Sequence, residues 1–168
     1  MKLSIIICVL NEIRTIKILL EKINSVDLPF NISKEVIIVD NCSIDGTREY
    51  LKTLEGKDNY KIFFQERNLG KGNSVIKGMS FVTGDLTILQ DADLEYDPLN
   101  YIDLINHMIK HDLEGVFGSR ILGKRDHFTY KLNKFAVIIL SKLINLLYKS
   151  SYTDTATNHK LIKTSVMR

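Results

Sequence analysis

The chain has 168 residues, 45% hydrophobic and 26% charged, with 9 Gly, 2 Pro and 2 Cys. These proportions fit one globular domain and exclude a disordered chain, a collagen-like repeat and a disulfide-rich miniprotein. The formal charge of +3 sums two unlike parts: residues 1–119 carry 13 Lys+Arg against 18 Asp+Glu (−5), and residues 120–168 carry 10 against 2 (+8). An acidic body and a basic C-terminal part call for separate explanations. Cys8 and Cys42 alone build no structural zinc cluster and suit a reducing compartment.

Lys2 and the apolar run Leu3–Leu10 have the outline of a signal segment, but no small-residue cleavage site follows. Leu3–Val9 reads instead as a buried strand, too apolar to alternate faces. Ile13, Ile16, Leu20, Ile23 and Val26 then recur three or four apart, the spacing of an amphipathic helix. Lys34–Asp40 is a second strand, followed by a turn-rich 41–46 and a short helix near Thr47–Leu54. Lys61–Gln65 is a third strand, Gly72–Val82 a helix and Leu86–Gln90 a fourth strand. Asp97-Pro98 reads as N-cap and first helical residue, with Leu99, Ile102, Ile105 and Ile109 on one face. Gly115–Gly118 is a fifth short strand. Phe135–Tyr148 spans 14 residues, interrupted by Ser141, Lys142 and Asn145, short of the roughly 18 apolar residues of a membrane-spanning helix. It is apolar around most of its circumference, with Lys131, Lys134, Lys142 and Lys149 along or beside it. Both a buried core helix and a helix lying in a membrane interface fit that pattern.

Strand–helix alternation predicts an α/β fold with a mostly parallel sheet covered on both faces. Ligands of such sheets bind beyond the carboxyl ends of the strands. Here those ends are polar: Asn11-Glu12, Asp40-Asn41 and Asp91-Ala92-Asp93. Read as an extended segment, Asp91, Asp93 and Glu95 share one face. Close carboxylates repel unless a cation sits among them, and hard oxygen donors suit Mg²⁺ or Mn²⁺ bridging to phosphates. A solvated acidic turn ahead of a helix is the plainer alternative. Asn68-Leu69-Gly70-Lys71-Gly72-Asn73 lacks Walker and dinucleotide spacing. It serves as a glycine-rich turn or as an anion contact through Lys71. Arg120, after the fifth strand, is a candidate phosphate ligand. Cys8 and Cys42 read as inert thiols, and His107, His111 and His127 as surface residues without zinc spacing.

In this order, the motifs resemble glycosyltransferase family 2, specifically its polyprenyl-phosphate (dolichol-phosphate-mannose synthase-like) branch. The carrying segments are Ile5–Glu12, Val36–Thr47, Asn68–Gly72, Gly84-Asp85, Asp91–Pro98 and Gly118-Ser119-Arg120, spread over almost the whole chain. Each is weak alone; the ordered set is specific. The resemblance implies a Rossmann-like nucleotide-diphospho-sugar transferase (GT-A) fold with an open, mostly parallel mixed sheet. It implies one transferase domain over 1–168 that lacks the family's C-terminal extension. Residues 1–119 would bind nucleotide and metal, and 120–168 would face acceptor and membrane. By position, Glu12 and Asp40 meet the nucleoside with Lys71 nearby, and Cys8, Leu10, Asn41 and Ala92 complete the nucleotide site. Asp91 and Asp93 hold ribose and metal–diphosphate, Glu95 adds a metal contact, and Arg120, Lys131 and Lys160 face the acceptor phosphate. Asp91, Asp93 and Arg120 are the implied catalytic residues. The chain departs from the family pattern at Cys8 (usually proline), Asn41 (usually aspartate), Asn158 (usually glycine) and His159 (usually aromatic).

The implied reaction is metal-dependent inverting transfer, with Mg²⁺ or Mn²⁺, from a UDP- or GDP-linked sugar to a polyprenyl phosphate. It would take place at the cytoplasmic face of an anionic membrane, by a peripheral protein without a nucleic-acid partner. An acceptor phosphate is already anionic and needs no general base. A glycan-hydroxyl acceptor would need one, for which only Asp154 is available. A nucleotide-sugar-binding domain without transfer is the remaining alternative.

Overall fold

The computed structural model describes residues 1–57, 59–122 and 131–167. Strands β1 (Lys2–Val9), β2 (Ser33–Asp40), β3 (Tyr60–Phe64) and β4 (Leu86–Asp91) alternate with helices α1 (Ile16–Ser25), α2 (Thr47–Lys52) and α3 (Lys71–Met79). Then follow α4 (Asn100–Lys110), β5 (Gly115–Phe117), α5 (Lys131–Tyr148) and β6 (Lys160–Lys163). One six-stranded sheet has the order β3-β2-β1-β4-β6-β5. Its first four strands are parallel, and β6 runs antiparallel to both β4 and β5. The chain therefore leaves β1 toward β2 on one side and returns to β4 on the other, which opens a crevice at the β1/β4 carboxyl ends.

Alternation along the strands divides the core. Ile5, Ile7 and Val9 of β1 pack with Ile16, Leu19 and Ile23 of α1 and Tyr101, Ile105 and Met108 of α4. Ile6 and Ile37 face the other way, against Val82 and Met79. Helix α3 lies close on that face: a Cβ on Gly78 would stand 2.7 Å from Ile6 Cγ2. Both faces are covered, as the apolar strands predict.

At the amino edge, one buried carboxylate ties the strands together. Glu35 Oε1 accepts hydrogen bonds from Ser4 Oγ (2.5 Å) and the Thr83 N–H (2.8 Å); Oε2 accepts from Thr83 Oγ1 (2.7 Å) and Lys61 Nζ (2.9 Å). Ser4 is the register partner of Glu35 and also accepts the Gly84 N–H at 2.9 Å. The network thus joins β1, β2, β3 and the turn entering β4.

The structure adds one strand, corrects one helix and decides between the two readings of another. Strand β6 lay unread in Lys160–Lys163, where only Leu161 is fully buried. Helix α4 starts at Asn100, not Pro98; Asp97 Oδ1 accepts the Leu99 N–H (3.0 Å) in the turn before it. Its buried face is Tyr101, Leu104, Ile105 and Met108, while Leu99 and Ile109 are exposed. Tyr101 shifts that face because its hydroxyl donates to buried Gln90 Oε1 at 2.6 Å, so the ring buries without losing a hydrogen bond. Helix α5 is not a core helix: of its described side chains only Ser141 is buried, where its Oγ accepts the Thr155 N–H at 3.1 Å. Among the described residues no helix is long and apolar enough to cross a membrane.

Candidate active site

The polar strand ends converge. Past β1, Asn11 takes a left-handed conformation (φ 57°), its N–H donating to Ser43 Oγ (2.9 Å) and its Oδ1 accepting the Ile44 N–H (2.8 Å). The Glu12 N–H donates to Thr47 Oγ1 at 2.9 Å, and Glu12 Oε2 accepts from Thr15 Oγ1 at 2.8 Å. The loops after β1 and β2 are thereby held as one wall. Asn41 continues it: Nδ2 donates to Asn68 Oδ1 (2.7 Å), while Oδ1 accepts the Leu69 N–H (2.9 Å). Asn68 Oδ1 also accepts the Gly70 N–H at 3.0 Å. A carboxylate at position 41 could keep the bond from the Leu69 N–H but has no proton for Asn68 Oδ1, so the amide adds a second link from the end of β2 to the glycine turn.

A cavity of about 550 Å³ lies at the switch between β1 and β4. It is lined by Cys8, Val9, Leu10, Glu12, Asn41, Asn68, Gly70, Lys71, Ser74, Asp91, Ala92, Asp93, Glu95 and Asn158. The expected nucleotide and metal residues are therefore on its wall, apart from Asp40. Asp40 is fully buried; its Oδ2 accepts from Arg48 Nε (2.6 Å) and its Oδ1 the Ser43 N–H (3.2 Å), so it shapes the turn from behind. Burial and the Asp91 carboxylate, against the opposing pull of Lys71, push the Cys8 thiol up to about 12. It is a neutral group in the cavity.

Asp91 ends β4 with its Oδ1 on the Lys71 ammonium and its Oδ2 accepting from Asn158 Nδ2 at 2.8 Å. The segment after it is not extended: Leu94 has φ 65°, and Asp93 Oδ1 accepts the Glu95 N–H at 3.0 Å. The two-residue periodicity used to align Asp91, Asp93 and Glu95 does not operate there. A turn brings all three to the same cavity instead. Among the described residues, no group of three or more His, Cys, Asp and Glu is disposed to hold a metal by itself.

A second cavity, of about 490 Å³, shares Glu95 with the first and is lined also by Lys22, Tyr96, Asp97, Asn100, Ser119, Arg120, Thr157 and His159. Arg120 grips fully buried Asp154 through Nε (2.8 Å) and Nη2 (3.1 Å). Burial would raise the Asp154 carboxyl, but Arg120 and the backbone hold it below the usual carboxylate range. Lys160 lies at neither cavity; its ammonium is 5.3 Å from the Phe117 ring centroid. The side chain of Lys131 lies outside the described residues. His159 stacks on Tyr96 (centroids 5.1 Å) and Tyr101 (6.2 Å), and both its nitrogens are buried without partners. Burial pushes it down to about 4, against the charge of Asp91.

Sequence reasoning missed Asn68 and Ser74 as cavity residues, and the grip of Asn158 on Asp91. Asn68 stood inside a quoted motif. Nothing local marked the other contact.

The model of the family "Glycosyl transferase family 2" matches residues 4–168. The chain belongs to glycosyl transferase family 2. A dolichol-phosphate mannosyltransferase of Pyrococcus furiosus is 30% identical over 132 residues, covering 77% of this chain and 37% of that protein. An undecaprenyl-phosphate 4-deoxy-4-formamido-L-arabinose transferase of Photorhabdus laumondii is 30% identical over 148 residues, covering 86% and 42%. This family 2 chain thus spans about two fifths of the length of these curated relatives. Among solved structures, S. aureus TarS in complex with UDP-GlcNAc superposes with a TM-score of 0.71 at 21% identity, over 99% of this chain and 46% of that one. A mannosyltransferase from Pyrobaculum calidifontis in complex with GDP-Man and Mn²⁺ gives 0.60 at 21%, over 70% and 35%. These likenesses show the GT-A fold.

Proposed function

We propose that this domain holds the donor site of an inverting transferase that moves a sugar from a UDP- or GDP-linked donor to a polyprenyl phosphate. The arrangement that carries the reading is the switch-point cavity, where Glu12 and Asn41 stand at one strand end and Lys71, Asp91, Asp93 and Glu95 at another. Both curated relatives are named for a lipid phosphate.

The residues fit a divalent ion. Asp91, Asp93 and Glu95 line one open cavity; among the described residues no three such groups could hold an ion by themselves, but hard carboxylate oxygens suit Mg²⁺ or Mn²⁺, which would keep waters and take further ligands from phosphates. Asp93 and Glu95, with Asp91, would hold it; bound, it supplies neutralisation of the charge growing on the leaving diphosphate. Lys71, half exposed on a flexible stem, reaches the same diphosphate by leaving Asp91. Glu12 and Asn41 take the nucleoside end, within walls made by Cys8, Leu10 and Ala92. The acceptor phosphate, anionic near neutral pH, attacks the anomeric carbon as the bond to the diphosphate breaks, and needs positioning rather than deprotonation. Arg120, whose Nε and Nη2 are fixed on Asp154, lines the second cavity beside Glu95, where the acceptor phosphate would approach. Asp154 itself is unsuited as a base for a hydroxyl acceptor, being buried and ion-paired.

Helix α5 supports a membrane-side role. Leu132, Phe135, Ile139, Leu143, Leu146 and Leu147 are all exposed, with Lys142 and Lys149 nearby. Such a helix rests in an interface with its lysines at anionic head groups. The protein would then work peripherally at the cytoplasmic face.

The test is transfer of radiolabelled sugar from UDP- and GDP-sugars to undecaprenyl phosphate in micelles, with Mn²⁺ and with chelator. Transfer that needs both lipid phosphate and metal is expected. Nucleotide binding without transfer would favour a binding domain instead. Transfer to soluble glycans instead would overturn the lipid acceptor.

A further inference from the structure

Asp91 is held by two groups of different stiffness. Lys71 is about half exposed and reaches it on a long stem, so its hold is weak and readily exchanged. Asn158 donates to the other carboxylate oxygen at 2.8 Å from 67 residues away in sequence. Its backbone is pinned: the Lys160 N–H donates to Asn158 O (2.9 Å), the His159 N–H to Thr157 Oγ1 (3.1 Å), and the Gly118 N–H to His159 O (2.8 Å). Four residues earlier, Asp154 locks the same segment to Arg120. The amide is thus a rigid donor and the ammonium a mobile one.

We propose that Asn158 is a positioning residue of the donor cavity, keeping the Asp91 carboxylate oriented when a nucleoside diphosphate draws Lys71 away. A glycine, the residue expected there from the family resemblance, has no side chain to do this. The assignment rests on the donor reading of the cavity. It makes the 154–159 segment, which also lines the second cavity through Thr157 and His159, a shared wall between donor and acceptor sides.

The experiment is a double-mutant cycle read by calorimetry with UDP and GDP in the presence of Mn²⁺. Asn158→Ala is expected to weaken diphosphate affinity about tenfold, the scale of one hydrogen bond to a charged group. In an Asp91→Ala background it is expected to have no further effect, because its partner is gone. Asn158→Asp keeps the shape and removes the donor, and is expected to weaken binding at least as much; it serves if the alanine variant folds poorly. An equal loss in both backgrounds, or no loss in either, overturns the proposal and leaves the donor reading standing. A wild-type chain that binds neither diphosphate overturns both.

Discussion

Replacing Glu35 by glutamine keeps its volume but removes the charge that Ser4, Thr83 and Lys61 converge on. Burial alone would raise this carboxyl; the bonds from Ser4, Lys61 and Thr83 outweigh it and bring the pKa from 4.5 down to about 2. At roughly 1.4 kcal/mol per pKa unit, the charged form contributes about 3 kcal/mol to folding. Lys61 is 39% exposed, so most of this belongs to the Ser4 and Thr83 bonds rather than to the ion pair. Because the folded pKa is depressed, the contribution is complete above 4.5 and is lost as pH falls through about 2. Urea denaturation of both proteins should therefore show Glu35→Gln less stable by about 3 kcal/mol at pH 7, the gap shrinking to about 1 kcal/mol at pH 3. A gap that is the same at both pH values, or absent at pH 7, would refute the reasoning. The network also joins the strands whose far ends form the switch-point cavity, so on the proposed function nucleotide affinity should fall with stability in this variant.

Other outcomes follow from the same geometry. Asp93→Ala should abolish the Mn²⁺-dependent part of diphosphate binding, and unchanged Mn²⁺-dependent affinity by calorimetry would contradict its assigned role. His159, held neutral with a pKa of about 4 against the usual 6.5, makes the wild type lose about 3 kcal/mol as pH falls from 6.5 to 4, because only the unfolded chain takes up the proton. His159→Phe should flatten that slope and also remove two unpartnered buried nitrogens; an unchanged slope in denaturation curves counts against it. On α5, Leu143→Glu with Leu146→Glu should weaken sedimentation with phosphatidylserine vesicles while leaving the melting temperature unchanged, since both side chains are exposed. Equal sedimentation by variant and wild type would remove the membrane role.

Much of the site was legible because its information is local. A run such as Leu3–Val9 or Val36–Asp40 can bury only as a central strand, and the polar residue that ends it must lie at the carboxyl edge. Hence Glu12, Asn41, Asp91 and Asp93 were placed at one edge from sequence, and they line one cavity. Asp40, also expected at the nucleoside, lies against Arg48 and off the cavity wall, and a carboxylate at a strand end looks the same in sequence whether it faces a ligand or an arginine. The period of two failed past Asp91, where Leu94 turns into the left-handed region. The face of α4 was misread because Tyr101 is apolar or polar according to whether Gln90 stands beside its hydroxyl.

By itself, then, the sequence determined the α/β alternation, the buried parallel strands and the acidic edge, all of which depend on residue type and short spacing. Tertiary structure alone decided the antiparallel β6, the withdrawal of Asp40 and Asp154 into ion pairs, the Asn158–Asp91 bond and the exposure of α5. These depend on which distant segments meet, and an apolar helix carries the same pattern whether a core or an interface covers it. The net charge of +3 conceals an acidic and a basic part, because charges add along a chain without regard to where folding puts them.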